Sequence, residues 1–203
     1  MKIVCVTQRL IHDRTTNTLR DGLDKDLTIF LNKLGYLVIP IPNLKFTQNE
    51  LDKILKTYVK KFKICGFVLS GGEDIGVNLN RDKIEKKIVR YCEKRKFPMI
   101  GICRGIQILA KLKKVKLVPI KNHVNKRHKI FKFNKIGQRT VNSFHNWGLK
   151  NCPNNFKITY VTKDKFIESI EHVRLPIKGV MWHPERERKY SNEDKKLFLE
   201  TFK

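Results

Sequence analysis

The chain has 203 residues, with 44 lysines and arginines against 19 acidic residues and a formal net charge of +25. That length suits one domain with a sizeable core, expected over residues 1–203, and no Pro/Gly/Ser-rich linker divides it. Five scattered cysteines without a C-x-x-C pair argue against a disulfide framework or a cysteine-rich zinc site. The apolar run Met1–Thr7 meets Gln8, Arg9, His12 and Asp13 too soon for a signal peptide or a membrane span, so a soluble protein of the reducing cytoplasm is expected.

In chain order, Lys2–Thr7 has the pattern of a strand. The polar segment Gln8–Arg14 then falls at a carboxyl edge of a sheet, where α/β proteins place ligands, which makes Arg9 a candidate anion contact. From Asn17, Leu19, Leu23, Leu27, Phe30, Leu31 and Leu34 recur at helical spacing up to Gly35, predicting a first helix. Tyr36–Ile41 reads as a strand, and Leu51, Ile54, Leu55, Tyr58 and Phe62 mark a second helix. Gly66–Leu69 is a third strand running into Ser70-Gly71-Gly72-Glu73-Asp74, whose glycines let backbone N–H groups face a ligand closely. A helix with Ile84, Ile88, Tyr91 and Cys92 on one face follows. Four strand-to-helix units in succession predict an α/β fold with a mostly parallel sheet covered on both faces.

Pro98–Ile102 is a buried-strand pattern, while Ile106, Leu109 and Ala110 continue at helical spacing, so Cys103 is expected on the strand-to-helix turn. Glycines two residues before and after it, Gly101 and Gly105, leave room for so tight a turn. At a helix amino end the free N–H groups and the macrodipole favour the thiolate, so Cys103 reads as a nucleophile. The N–H of Arg104 and the Gly71/Gly72 backbone are candidates for an oxyanion hole. Beyond Lys114, short runs (116–120, 128–133, 139–143, 156–162, 166–172 and 178–182) predict antiparallel additions, and Ser191 with Asp194 caps a last helix ending near Lys203. In Met181-Trp182-His183-Pro184-Glu185, an extended backbone projects His183 and Glu185 to one side, the base and orienter that a cysteine nucleophile needs.

Ser70-Gly71-Gly72-x-Asp74, Gly101-Ile102-Cys103-Arg104-Gly105-Ile106-Gln107, Asn142-Ser143-Phe144-His145 and His183-Pro184-Glu185, in this order, resemble the class I glutamine amidotransferase superfamily over nearly the whole chain. Gly-Ile-Cys-Arg-Gly is similar to its γ-glutamyl hydrolase (C26 peptidase) branch. The Thr-Gln-Arg start and Asn-Ser-Phe-His-Asn look most like the γ-glutamyl-CDP-amidate hydrolases of capsule phosphoramidate synthesis. The resemblance implies a flavodoxin-like fold and a reaction without cofactor. In it Cys103 attacks a γ-glutamyl carbonyl, His183 acts as base and acid, Glu185 orients His183, and Gly72 and Arg104 hold the oxyanion. By the same resemblance, Gln107 and Ser143, Phe144 and His145 bind the glutamyl group.

The expected partner is a small anionic γ-glutamyl substrate, with Arg9, His12 and Arg186 near its phosphates and Phe144 or Trp147 stacking on a base. A γ-glutamyl amine such as γ-glutamyl-aminobutyrate, or glutamine on behalf of a separate synthetase chain, are the alternatives. The lysines are spread over predicted helix faces, with no basic tail or aromatic–arginine block, so neither a nucleic-acid nor a membrane partner is expected and the positive field favours a small anion. His123 and His128 stand beside Lys126, Arg127 and Lys129, a setting that disfavours a divalent ion, although Mg²⁺ could accompany a diphosphate substrate. The sequence leaves a homo-oligomer open.

Overall fold

The computed structural model describes residues 1–203. In the amino-terminal half, β1 (Lys2–Thr7) leads into the hairpin β2 (Arg9–Asp13) and β3 (Thr18–Gly22), then α1 (Lys25–Lys33), β4 (Tyr36–Ile41), α2 (Gln48–Lys61), β5 (Ile64–Leu69), α3 (Leu79–Arg95), β6 (Met99–Ile102) and α4 (Arg104–Leu112). The rest comprises β7 (Leu117–Pro119), β8 (Val124–Lys132), β9 (Gln138–Phe144), β10 (Trp147–Leu149), β11 (Phe156–Thr162), β12 (Ile167–His172), β13 (Ile177–Val180), a 3-10 turn at Pro184–Arg186 and α5 (Asn192–Thr201).

Eleven strands form one sheet in the order β4-β1-β5-β6-β13-β12-β11-β8-β9, with β10 and β7 branching from β12, and β2 and β3 form a separate two-stranded sheet. From β4 to β13 the neighbours are parallel; from β13 onward they are antiparallel. The sheet is buried on both sides. On one side Leu51 and Leu55 of α2, Ile84 and Ile88 of α3, and Ile106 and Leu109 of α4 pack against Phe67, Leu69 and Met99. On the other, Leu27, Phe30 and Leu31 of α1 and Phe198 and Phe202 beside α5 cover Val4, Val6, Val68 and Ile100.

Local chemistry sets the element ends. Thr47 and Glu50 form a reciprocal capping box at α2, and Ser191 Oγ accepts from the Asp194 N–H at 3.0 Å at α5. The expected helix from Asn17 does not form. Asp13 Oδ1 accepts from the N–H groups of Thr15 and Thr16 and closes a turn, so Thr18–Gly22 pairs back on Arg9–Asp13, leaving Leu19 65% exposed. The helix begins only after Asp24, whose carboxylate accepts from Asp26 N–H. A second difference concerns β13. It is antiparallel to β12, as an addition should be, but parallel to β6, so it completes the parallel sheet.

Candidate active site

Four neighbouring parallel strands end side by side, and each hands on a segment with chemistry: β1 leads to Arg9, β5 to Ser70–Gly72, β6 to Cys103 and β13 to His183. Cys103 is the N-cap of α4 at φ 51°, ψ −102°, a conformation that L-residues seldom adopt and that stores strain where the chain turns from strand to helix. Its own N–H is tied to Val180 O at 2.8 Å, which locks the turn to β13. The glycine frame is a packing requirement: a Cβ on Gly101 would lie 2.6 Å from Gly105 C, and one on Gly105 would lie 2.5 Å from Leu69 O. The Arg104 N–H belongs to the first turn of α4, where no intrahelical acceptor exists.

His183 is buried beside Cys103. Its Nδ1 meets Glu185 Oε1 at 2.6 Å, and Phe144 stands edge-on to the ring, centroids 5.6 Å apart. The two residues do not converge through strand alternation. His183 is the last extended residue, and Pro184 starts a 3-10 turn that folds Glu185 back onto the imidazole. Asn142 clamps the peptide: its Oδ1 accepts from His183 N–H at 2.8 Å and its Nδ2 donates to His183 O at 2.7 Å. Burial works against the imidazolium, but the Glu185 carboxylate and then the Cys103 sulfur outweigh it and raise the His183 pKa from 6.5 to about 10. At neutral pH the ring therefore holds its proton beside the Cys103 sulfur.

The Ser70–Gly72 loop closes over this pair. A Cβ on Gly71 would fall 2.6 Å from His183 Cε1 and 3.6 Å from Cys103 Cβ; Gly72 has φ +146°, open to glycine alone without strain. Beneath the loop lies a buried ion network. Arg81, fully buried, donates to Glu85 at 2.8 Å, Glu73 at 2.8 Å, Ser70 O at 2.8 Å and Gly71 O at 3.0 Å. The Arg104 side chain joins Glu85 and Asp82, and Thr7 Oγ1 donates to Glu85 while accepting from Ser70 N–H. One network thus fixes both the loop and the start of α4. Its members Arg81, Asp82 and Glu85 escape sequence reasoning; the available signal is three charged residues around Ile84 on a helix that also buries Ile88.

Residues 30–202 match the family described as glutamine amidotransferase class-I. The chain belongs to the class I glutamine amidotransferase family. It is 31% identical over 193 residues to the gamma-glutamyl-CDP-amidate hydrolase of Campylobacter jejuni subsp. jejuni serotype O:2, with 92% of each chain covered. It is 30% identical over 144 residues to a glutamine-hydrolysing GMP synthase subunit of Pyrococcus abyssi, with 67% of this chain and 74% of that one covered. A crystal structure from Thermoplasma acidophilum, assigned to a GMP synthase subunit, shares the fold at a TM-score of 0.71 and 21% identity, over 100% of this chain and 92% of that one.

In this class I amidotransferase, the remaining predicted residues fall in four places. Arg9, Arg186 and Asp24 rim a shallow depression floored by Ser70, Gly71, His183 and Glu185, with Arg186 bound to Asp24 at 3.0 Å and stacked over the Phe144 ring at 4.9 Å. His12 lies farther along β2, against Asn17. Gln107, one turn into α4, donates to Trp147 O at 3.2 Å and lines a cleft of about 420 Å³ with Asp74, Lys111, Lys116 and Trp147, whose indole N–H donates to Asp74. Strand alternation separates Phe144 from its neighbours. The Ser143 hydroxyl donates to His123 O at 2.5 Å, and His145 turns toward Glu168, both away from the Phe144 side. No helix is long and apolar enough to cross a membrane.

Proposed function

We propose that this class I amidotransferase hydrolyses a γ-glutamyl amide, with Cys103 as nucleophile, His183 as proton carrier and Glu185 as its orienter. The observation that carries the reading is the buried Cys103–His183–Glu185 line at the sheet's carboxyl edge, with Glu185 bound to His183 at 2.6 Å and the imidazole charged beside the sulfur. Cys103 Sγ attacks the γ-carbonyl, and the N–H groups of Gly72 and Arg104 receive the oxyanion. On collapse the C–N bond breaks and His183 gives its proton to the leaving nitrogen. A glutamyl thioester remains. Neutral His183 then takes a proton from water, whose oxygen attacks the thioester, and glutamate and the Cys103 sulfur are released.

The substrate favoured is γ-glutamyl-CDP-amidate, giving cytidine diphosphoramidate for capsule phosphoramidate synthesis. Two things support it: the 31% identity to a hydrolase of that name, and the paired arginines Arg9 and Arg186 at the rim of the site, where an anionic leaving group has to pass. Gln107 and the Ser143–His145 segment are assigned to the glutamyl end; Ser143 and His145, whose side chains are engaged with His123 and Glu168 on the other side, contribute through their main chain.

Acid-quenched mixtures tested by mass spectrometry should carry one glutamyl group on the Cys103 peptide, absent in Cys103→Ala. For the nucleotide, Arg9→Ala should raise KM for γ-glutamyl-CDP-amidate by about 10-fold or more, the loss of one charge-assisted contact of about 1.5–3 kcal/mol, and leave turnover of glutamine unchanged. An equal effect on both substrates removes Arg9 from the leaving-group site.

A further inference from the structure

Behind the active site, on the side of β9 opposite Phe144, four titratable side chains from two strands and two loops converge. These are His123, His128 of β8, His145 and Glu168 of β12. Glu168 is fully buried, and neither of its oxygens has a hydrogen-bond partner; His128 Nε2 is likewise unpartnered. The nearest imidazoles stand at ion-pair distance without a directed hydrogen bond. His145 Nε2 is 3.4 Å from Glu168 Oε1, His128 Nε2 is 3.5 Å from Oε2, and His123 Nδ1 is 4.0 Å from Oε1, whereas a charge-assisted N–H···O bond closes to about 2.7–2.9 Å.

We propose that His123, His128 and Glu168 form a binding site for a divalent transition metal, zinc first, with His145 at its border. Two donors that share a tetrahedral ion, each about 2.0–2.1 Å from it, stand about 3.3–3.4 Å apart; His128 Nε2 is 3.5 Å from Glu168 Oε2, and His123 Nδ1, 4.0 Å from Oε1, has to draw in on binding. The donor atoms of His123, His128 and Glu168 all lie within 4.8 Å of one another. Two imidazoles and a carboxylate suit zinc, and leave a fourth position open.

His123 turns Nδ1 inward, and its Nε2 faces the Asp164 carboxylate at 3.8 Å, an ion-pair distance without a hydrogen bond. His145 Nδ1 donates to Trp147 O at 3.0 Å, and its Nε2 meets His123 Nδ1 at 3.4 Å. The flanking charges that count against an ion in the sequence lie elsewhere: Lys126 and Lys129 are exposed, and Arg127 is bound to Glu187. Glu168, remote in sequence, supplies the negative charge. An ion here ties β8 to β12 beside the segment that carries Phe144 against His183.

The full chain, stripped with chelator, is to be dialysed against Zn²⁺ for elemental analysis and titrated with Co²⁺ for visible absorption, as wild type, Cys103→Ser, His128→Gln and Glu168→Gln. The expectation is one ion per chain, a four-coordinate Co²⁺ spectrum and a zinc-dependent rise in Tm, all kept in Cys103→Ser. In His128→Gln, affinity should fall by more than the roughly 10–100-fold typical of losing an outer-shell partner. Because His128 is partly exposed, its variant decides should Glu168→Gln fail to fold. Absence of bound ion in the wild type, or equal retention by folded His128→Gln, overturns the proposal.

Discussion

Gly71 packs so closely on His183 that one methyl group there must move the imidazole, its Cβ falling 2.6 Å from Cε1. Gly71→Ala should therefore cost about 100-fold in kcat, a misplacement of the order of 1 Å, with little change in Tm. Glu185→Gln removes the charge that keeps His183 protonated, and kcat should fall about 10²- to 10⁴-fold, read from glutamate release at saturating substrate. His183 also links stability to pH. Its native pKa lies above 6.5, at about 10, so its contribution is complete below 6.5 and is lost as pH rises toward 10. In a Cys103→Ser background, which removes the sulfur's share of the shift, Tm should decline as pH rises above 6.5 over a correspondingly narrower window, and His183→Gln should flatten the decline. A tenfold surviving increase in proton affinity, about 1.4 kcal/mol, amounts to roughly 3–5 °C. The residues in this geometry are legible in the sequence because each sits in a short local frame, G-x-C-x-G or H-P-E. Strand alternation is the wrong reason for the pairing of His183 with Glu185, since Pro184 makes a 3-10 turn there.

At the scale of elements, α3 and α4 are joined to the Ser70–Gly72 loop by charges that no short motif announces. Glu85 receives Arg81, Arg104 and Thr7 together. Glu85→Ala leaves two buried guanidinium groups short of a partner and should cost about 3–5 kcal/mol, a fall in Tm of roughly 6–20 °C by calorimetry. Asn142→Ala should lower kcat far more than it raises KM, because Asn142 holds the peptide of His183 on both sides. The helices and parallel strands are readable from their periodicity, 3.6 for α2 and α3 and continuous apolar runs for β1, β5 and β6. The hairpin of β2 and β3 is not, because Leu19 mimics a helical position and the turn is made by the Asp13 side chain. The Glu168 cluster is illegible for another reason: its members come from β8, β12 and the loops before β8 and after β9, and only the sheet order β12-β11-β8-β9 brings them together.

For the whole molecule, the sheet order places β1, β5, β6 and β13 as neighbours, so that four loops far apart in sequence share one carboxyl edge. The +25 net charge gives the molecule as a whole a positive field, which draws small anions and any polyanion at low salt. Binding of duplex DNA should accordingly be steeply salt-dependent and no tighter than about 10⁻⁶ M at physiological salt, the nonspecific range, as read by filter binding. The most direct test of a cysteine-dependent γ-glutamyl hydrolase is glutamate release from γ-glutamyl-CDP-amidate, γ-glutamyl-aminobutyrate and glutamine by wild type and Cys103→Ala. The account predicts rapid cleavage of the nucleotide amidate, abolished by the substitution, and slow turnover of the other two. Release that is absent from all three, or equal in the two proteins, contradicts it.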